Sequence, residues 1–123
     1  MINKRNEGQN YESQACEYIT LCGGHILERN FRSARGEIDI IVRDGKYTVF
    51  TEVKYRSGKR YGAPEEAVDY RKQRIICRCA DYYRTKYKMD DFTAIRFDVI
   101  AISADTNGAI RVRWIKDAFP YHR

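Results

Sequence analysis

Gly36-Glu37-Ile38-Asp39-Ile40-Ile41-Val42-Arg43-Asp44-Gly45-Lys46-Tyr47-Thr48-Val49-Phe50-Thr51-Glu52-Val53-Lys54-Tyr55-Arg56 is the stretch that decides the fold. It holds two runs rich in β-branched and aromatic residues, Glu37–Val42 and Tyr47–Tyr55. Between them Arg43-Asp44-Gly45-Lys46 supplies an Asp-Gly turn, the short-range signal of a hairpin. Charged residues interrupt both runs, although an unpartnered charge is expensive to bury. Asp39 sits among isoleucines. Glu52 and Lys54 are two apart, so both project from one face of their strand. If the hairpin pairs in register, Asp39 approaches them from the neighbouring strand.

Working outward, Tyr11, Ala15, Tyr18, Ile19 and Cys22 recur at helical spacing, predicting a helix from about Glu7 to Leu21 that stops at Gly23-Gly24. His25 to Phe31 reads as a strand with Ile26 and Leu27 at its heart, and Ser33-Ala34-Arg35-Gly36 as a turn. After the hairpin, Arg56 to Ala63 reads as a basic loop. A second helix is expected from about Pro64 to Tyr87, its apolar stripe being Val68, Ile75, Ile76, Cys79, Ala80 and Tyr83. Two further strands, Ile95–Ile102 and Ile110–Ile115, flank a turn at Thr106-Asn107-Gly108. The order α-β-β-β-α-β-β predicts one domain over residues 1–123, an α/β or α+β sandwich around a mixed sheet.

Bulk properties narrow the function classes. At 123 residues the chain can bury one apolar core without staples. No apolar run is long enough for a bilayer, and no apolar signal region follows Met1–Arg5. A cytoplasmic protein without a membrane partner is therefore expected. Cys16, Cys22, Cys77 and Cys79 match no common zinc or redox spacing, which predicts free thiols. The net charge is +6, and the surplus is local. From Lys54 to Arg78 eight Lys and Arg residues face only Glu65, Glu66 and Asp69. Such a field favours a polyanion, although a basic solvated helix face has the same composition.

Two helical residues can join the central trio. Glu12 lies beside the apolar stripe of the first helix, and Lys72 falls between Val68 and Ile75 on the buried side of the second. Each has an architectural explanation: an early Glu complements the helix dipole, and a Lys stem snorkels over apolar surface. The architectural alternative for the trio is a salt-bridge ladder in which Lys54 links Asp39 and Glu52. The apolar flanks argue for central strands instead, where such ladders are uncommon.

Gly36-Glu37-Ile38-Asp39-Ile40-Ile41 followed by Val49-Phe50-Thr51-Glu52-Val53-Lys54-Tyr55-Arg56 resembles the signature of the YraN-like family of bacterial proteins. The resemblance extends to Glu12 and Ala15, Ile26–Arg32, Lys72 and Arg96-Phe97-Asp98-Val99. The family's glycine before the first-helix glutamate is Tyr11 here. The resemblance implies a restriction-endonuclease-like three-layer sandwich, a central mixed sheet flanked by helices, similar to archaeal Holliday junction resolvases. It further implies that Asp39, Glu52 and Lys54 fill the acid, acid and lysine positions of a PD-(D/E)xK nuclease site. Asp39 and Glu52, with the Val53 carbonyl, would then hold Mg2+, for which Mn2+ can substitute. Lys54 would act on the attacking water or the phosphate, and Glu12 would assist as a further catalytic acid. Arg56, Lys59, Arg60 and Lys72 would meet phosphates of a nucleic acid, DNA above all. Related resolvases act as symmetric dimers, which admits a homodimer. Two other readings stand beside an endonuclease: a nucleic-acid-binding module of the same fold without catalysis, and an assembly factor for an acidic protein.

Overall fold

The computed structural model describes residues 4–57 and 68–123, with the backbone alone for residues 4–9. Its elements run α1 (Lys4–Leu21), β1 (His25–Ser33), β2 (Gly36–Asp44), β3 (Tyr47–Ser57), α2 (Tyr70–Lys86), β4 (Ile95–Ala104) and β5 (Ile110–Ile115). The order is the one read from the sequence. The five strands form one sheet in sequential order β1-β2-β3-β4-β5. β1, β2 and β3 are an antiparallel meander, β3 and β4 pair in parallel across the α2 crossover, and β5 returns antiparallel. The sheet is therefore mixed, and the strands carrying Asp39 and Glu52 are both interior, as their apolar flanks predicted.

Local chemistry explains where the elements begin and end. The β2–β3 turn is tighter than the expected connector, since Asp44 already pairs with Tyr47. Gly45 makes this possible by taking the left-handed φ of 60° that other residues resist. α2 starts later than Pro64, which lies outside the described residues. Val68 and Asp69 are not helical, and Asp69 is the N-cap, its Oδ1 accepting from Lys72 N at 2.8 Å. An aspartate satisfies an orphan helix amide better from outside the helix than from within it. β3 extends through Ser57, so Arg56 belongs to a strand and not to a loop. Leu27 is not the heart of β1: the register shifts between Ile26 and Glu28, leaving Leu27 on a bulge and 44% exposed.

The sheet buries both faces. Ala15 and Ile19 of α1 pack with Ile40, Val42, Val49, Ile100 and Ile102. On the opposite face Ile76, Cys79, Ala80 and Tyr83 of α2 pack with Ile41, Phe50, Phe97 and Val99. Alternation along β3, and along β2 from Ile40 onward, sends successive side chains to opposite layers, with the parity broken at Asp39 between Ile38 and Ile40. Each large apolar side chain so buried contributes about 1.5–3 kcal/mol. The result is the helix–sheet–helix sandwich. All four cysteines are free. Among the described residues no helix is long and apolar enough to cross a membrane.

One carboxylate inside this frame is wholly buried. Asp98 on β4 is 0% exposed. Its Oδ1 accepts from Arg96 Nε (2.9 Å) and Asp117 N (2.9 Å), and its Oδ2 from Arg96 Nη2 (2.7 Å) and Trp114 Nε1 (2.8 Å). Arg96 also reaches Asp44 Oδ2 at 2.8 Å, and Lys116 Nζ reaches the same oxygen at 3.0 Å. Every lone pair that faces the interior has a donor.

Candidate active site

The pairing of β2 with β3 stops at Ile40↔Thr51. Continued by one residue, it would join Asp39 to Glu52. The strands splay there instead, and the Asp39 carboxylate takes over from the missing ladder, its Oδ2 accepting from Val53 N at 2.8 Å. β1 is irregular at the same level. Arg29 pairs with Ile40 and Phe31 with Ile38, while Asn30 between them adopts a left-handed φ of 53° opposite Asp39. Asparagine tolerates that conformation better than most residues.

Glu52 continues the parity of Phe50 and lies across from Val99 on the α2 face of β3, with Lys54 following two residues on. It is 7% exposed. The nearest cation is not Lys54. Lys72 of α2 places Nζ 3.9 Å from Glu52 Oε1, and Lys54 forms no ion pair with either carboxylate. The ladder in which Lys54 links Asp39 to Glu52 is therefore absent. Burial pushes the Glu52 carboxyl up to about 7, with the charge of Asp39 adding to the rise and Lys72 and Lys54 opposing it. Asp39 is also raised, chiefly by burial; the Val53 amide and the two lysines pull it back, while Glu37 adds to the rise. At both carboxylates burial thus outweighs the opposing charges of Lys72 and Lys54.

Glu12 reaches the same negative field from α1. Burial and then the Asp39 charge raise its pKa, against Arg29 and a hydrogen bond with the Asn30 side chain. Arg29 Nη2 stands 3.9 Å from Glu12 Oε1, an oxygen that is buried without a hydrogen-bond partner. The preceding Tyr11 stacks on Tyr55 of β3 with ring centroids 3.9 Å apart, which fixes this turn of α1 against the sheet. Asp39 therefore links two neighbourhoods: Glu12 acts on it from α1, while Lys72 of α2 and Lys54 of β3 act on both Asp39 and Glu52. Arg56 follows Lys54 on the same face and donates Nη1 to the Tyr55 carbonyl at 3.0 Å. Lys59 and Arg60 lie outside the described residues. Among the described residues no three His, Cys, Asp or Glu side chains converge closely enough to hold a metal by themselves.

A family model described as "Uncharacterised protein family UPF0102" matches residues 11–102. The chain belongs to this family. It is 42% identical over 118 residues to a UPF0102 protein of Lachnoclostridium phytofermentans, covering 96% of each chain. A UPF0102 protein of Symbiobacterium thermophilum is 42% identical, covering 94% of this chain and 97% of its own. One from Clostridium botulinum is 46% identical, covering 88% and 89%. The UPF0102 match begins at Tyr11 and takes in Glu12, Asp39, Glu52, Lys54 and Lys72.

Three residues of this UPF0102 pocket escaped the sequence reading. Glu37, two before Asp39 on β2, adds negative charge to Glu12, Asp39 and Glu52 alike. Arg29 and Asn30 act on Glu12 from β1. A signal was present for each: Glu37 shares the spacing of two that tied Glu52 to Lys54, and Asn30 interrupts a strand. Val53, whose carbonyl was expected to contribute, also holds Asp39 through its amide.

Proposed function

We propose that this chain is a metal-dependent endonuclease that hydrolyses phosphodiester bonds at the Asp39–Glu52 pair. The observation that carries the reading is the incompletely offset burial of these two carboxylates at the point where β2 and β3 part. A purely architectural pair would be matched by donors. Among the described residues this pair instead has one amide, one long ion pair to Lys72, and a neighbouring glutamate with an orphaned oxygen. Such a donor set fits Mg2+ or Mn2+: the ion is hard, is satisfied by one or two carboxylates, and completes its shell with water and substrate phosphate oxygens. That economy is consistent with the lack of a three-acid cluster among the described residues.

Asp39 and Glu52 would hold the ion, and the Val53 carbonyl points toward the same parted edge, since its amide does and the two share a side of the strand. Bound there, the metal would supply charge neutralisation at the scissile phosphate and an acidified water. Lys54, on the Glu52 face and without an ion-pair partner among the described residues, orients the attacking water or meets charge growing on the phosphate oxygens. Lys72 holds Glu52 in place and limits its rise in pKa, and Glu12 accepts a proton or a water from the α1 side. Arg56 receives a flanking phosphate, with Lys59 and Arg60 following in sequence; such contacts position DNA without reading its sequence. The same small donor set supports a second reading, a nucleic-acid binder with this fold and no turnover.

Glu52→Gln separates the two. It keeps shape and removes the charge on which a divalent ion depends. In calorimetry the variant should lose magnesium binding, and cleavage of linear, flapped and four-way DNA should collapse, while nucleic-acid affinity holds or rises. Lys54→Ala should retain the metal and lose turnover. A wild type that binds magnesium at these carboxylates and cuts none of the panel supports the binder. Equal cleavage by wild type and Glu52→Gln would falsify the mechanism.

A further inference from the structure

Away from the carboxylates, the outer side of α2 carries a second concentration of charge. Arg71, Arg74 and Arg78 recur at spacings of three and four, so they form one stripe on the helix. Arg35 joins them from the β1–β2 turn. The turn lies hard against the helix because residue 36 is glycine: a Cβ there would meet Ile75 Cγ2 at 2.8 Å. Two adjoining depressions result. One, of about 580 Å³, is lined by Arg35, Tyr70, Arg71, Arg74, Ile75 and Arg78. The other, of about 560 Å³, shares Arg35 and Arg78 and is lined further by Arg32, Tyr82 and Asp81, whose carboxylate is paired with Arg78. They adjoin at the two arginines they share, and we treat them as one trough, with the half-buried Ile75 in the lining of the first. An exposed tyrosine stands toward each end, Tyr70 at 60% and Tyr82 at 51% exposure.

We propose that this trough binds a single strand of nucleic acid. Arg35, Arg71 and Arg74 form no ion pair among the described residues, so their charge is available to phosphates. Arg78 is partly committed, to Asp81 at 3.2 Å and to the Tyr121 hydroxyl and the His122 carbonyl, and so serves mainly as the wall joining the two depressions. Arg74 stands 5.9 Å from the centre of the Tyr70 ring, a cation on an aromatic face that can extend a base stack. A duplex presents phosphates on a convex ridge and hides its base faces, so neither an apolar lining nor flanking rings would serve it. An unpaired strand uses both: the arginines track its backbone and the tyrosines stack its bases. The inference rests on the proposed cleavage reading only for its direction. Lys72 follows Arg71 on α2 and pairs with Glu52, so the helix that lines the trough also faces the carboxylates.

Binding measured in chelator, without divalent metal, tests the trough apart from any cleavage. Wild-type protein should bind labelled oligothymidylate at least tenfold more tightly than a blunt duplex of equal length. Log affinity should fall with log salt by about 0.7 per phosphate contacted. The double variant Arg71→Glu/Arg74→Glu, at exposed positions and checked for folding by circular dichroism, should bind at least tenfold more weakly and flatten that slope. Tyr82→Ala should weaken binding by about tenfold with the slope unchanged, as loss of one stacked base predicts. Duplex binding equal to or tighter than single-strand binding would overturn the proposal, as would a charge-reversed variant of wild-type affinity. Loss of cleavage with single-strand binding intact would count against the carboxylate reading and leave the trough standing.

Discussion

Asp98 and Glu52 are both buried carboxylates on interior strands of one sheet, and they are treated in opposite ways. Asp98 is fully enclosed and receives four hydrogen bonds, two from a single guanidinium. Glu52 is almost as deeply buried, has one ammonium at 3.9 Å, and lies beside a second acid that raises its pKa. A burial penalty that is fully compensated marks architecture; one left standing at a parting of strands marks a candidate functional site. The contrast also separates two motifs that look alike in the sequence, since each is a charged residue among apolar neighbours.

The largest expected effect sits on the satisfied side. Asp98→Asn leaves Arg96, only 11% exposed at its side chain, without its bidentate anion, and should cost about 3–5 kcal/mol in denaturant unfolding. A cost below about 1 kcal/mol would show that the four bonds are dispensable and would break the contrast.

Glu52→Gln should move stability the other way. The folded-state pKa of Glu52 is raised from 4.5 to about 7, so the folded protein holds this proton more tightly than the unfolded chain. Stability should therefore fall as pH rises from about 4.5 to about 7 and level off above that, a loss on the order of 3 kcal/mol. The glutamine variant should lack this descent and be the more stable protein at mildly alkaline pH. Unfolding midpoints measured across that range without divalent metal decide it; parallel curves for the two proteins contradict the assignment.

Finer effects sharpen the electrostatics within the pocket. Asp39→Asn removes the charge that, after burial, most raises Glu52, so the Glu52 titration midpoint followed by carboxyl NMR should drop below about 7. Lys72→Met removes an opposing charge and should shift the midpoint upward by a smaller amount. Movement of both in one direction would mean that burial alone controls the group.

Much of this was legible in the residues. The Asp44-Gly45 turn and the β-rich runs beside it specify the hairpin, and Asp39, Glu52 and Lys54 stand out because they break apolar patterns. Side-chain parity then places Glu52 and Lys54 on one face before any tertiary contact is known. The partner of Glu52 was not legible from strand spacing. Periodicity put Lys72 on the inner side of α2, but only the crossover brings its ammonium to Glu52 rather than to solvent. The start of α2 was obscured because Pro64, Glu65 and Glu66 suit a first helical turn, whereas Asp69 provides the cap. Leu27 misled for a related reason: a bulge turns an apolar side chain outward, and a bulge leaves no hydropathic trace.

The connectivity of the sheet sets an order in time. Asp39 and Glu52 meet through a hairpin closed by a two-residue turn, a local event on the microsecond scale. Lys72 can join them only when α2 has crossed over and β4 has docked in parallel beside β3, a non-local and slower step. Repulsion between the acids is thus established before the cation that eases it arrives. Glu52→Gln should accordingly refold faster than the wild type at neutral pH, and the gap should close as pH falls toward about 4.5, where Glu52 of the unfolded chain takes up its proton.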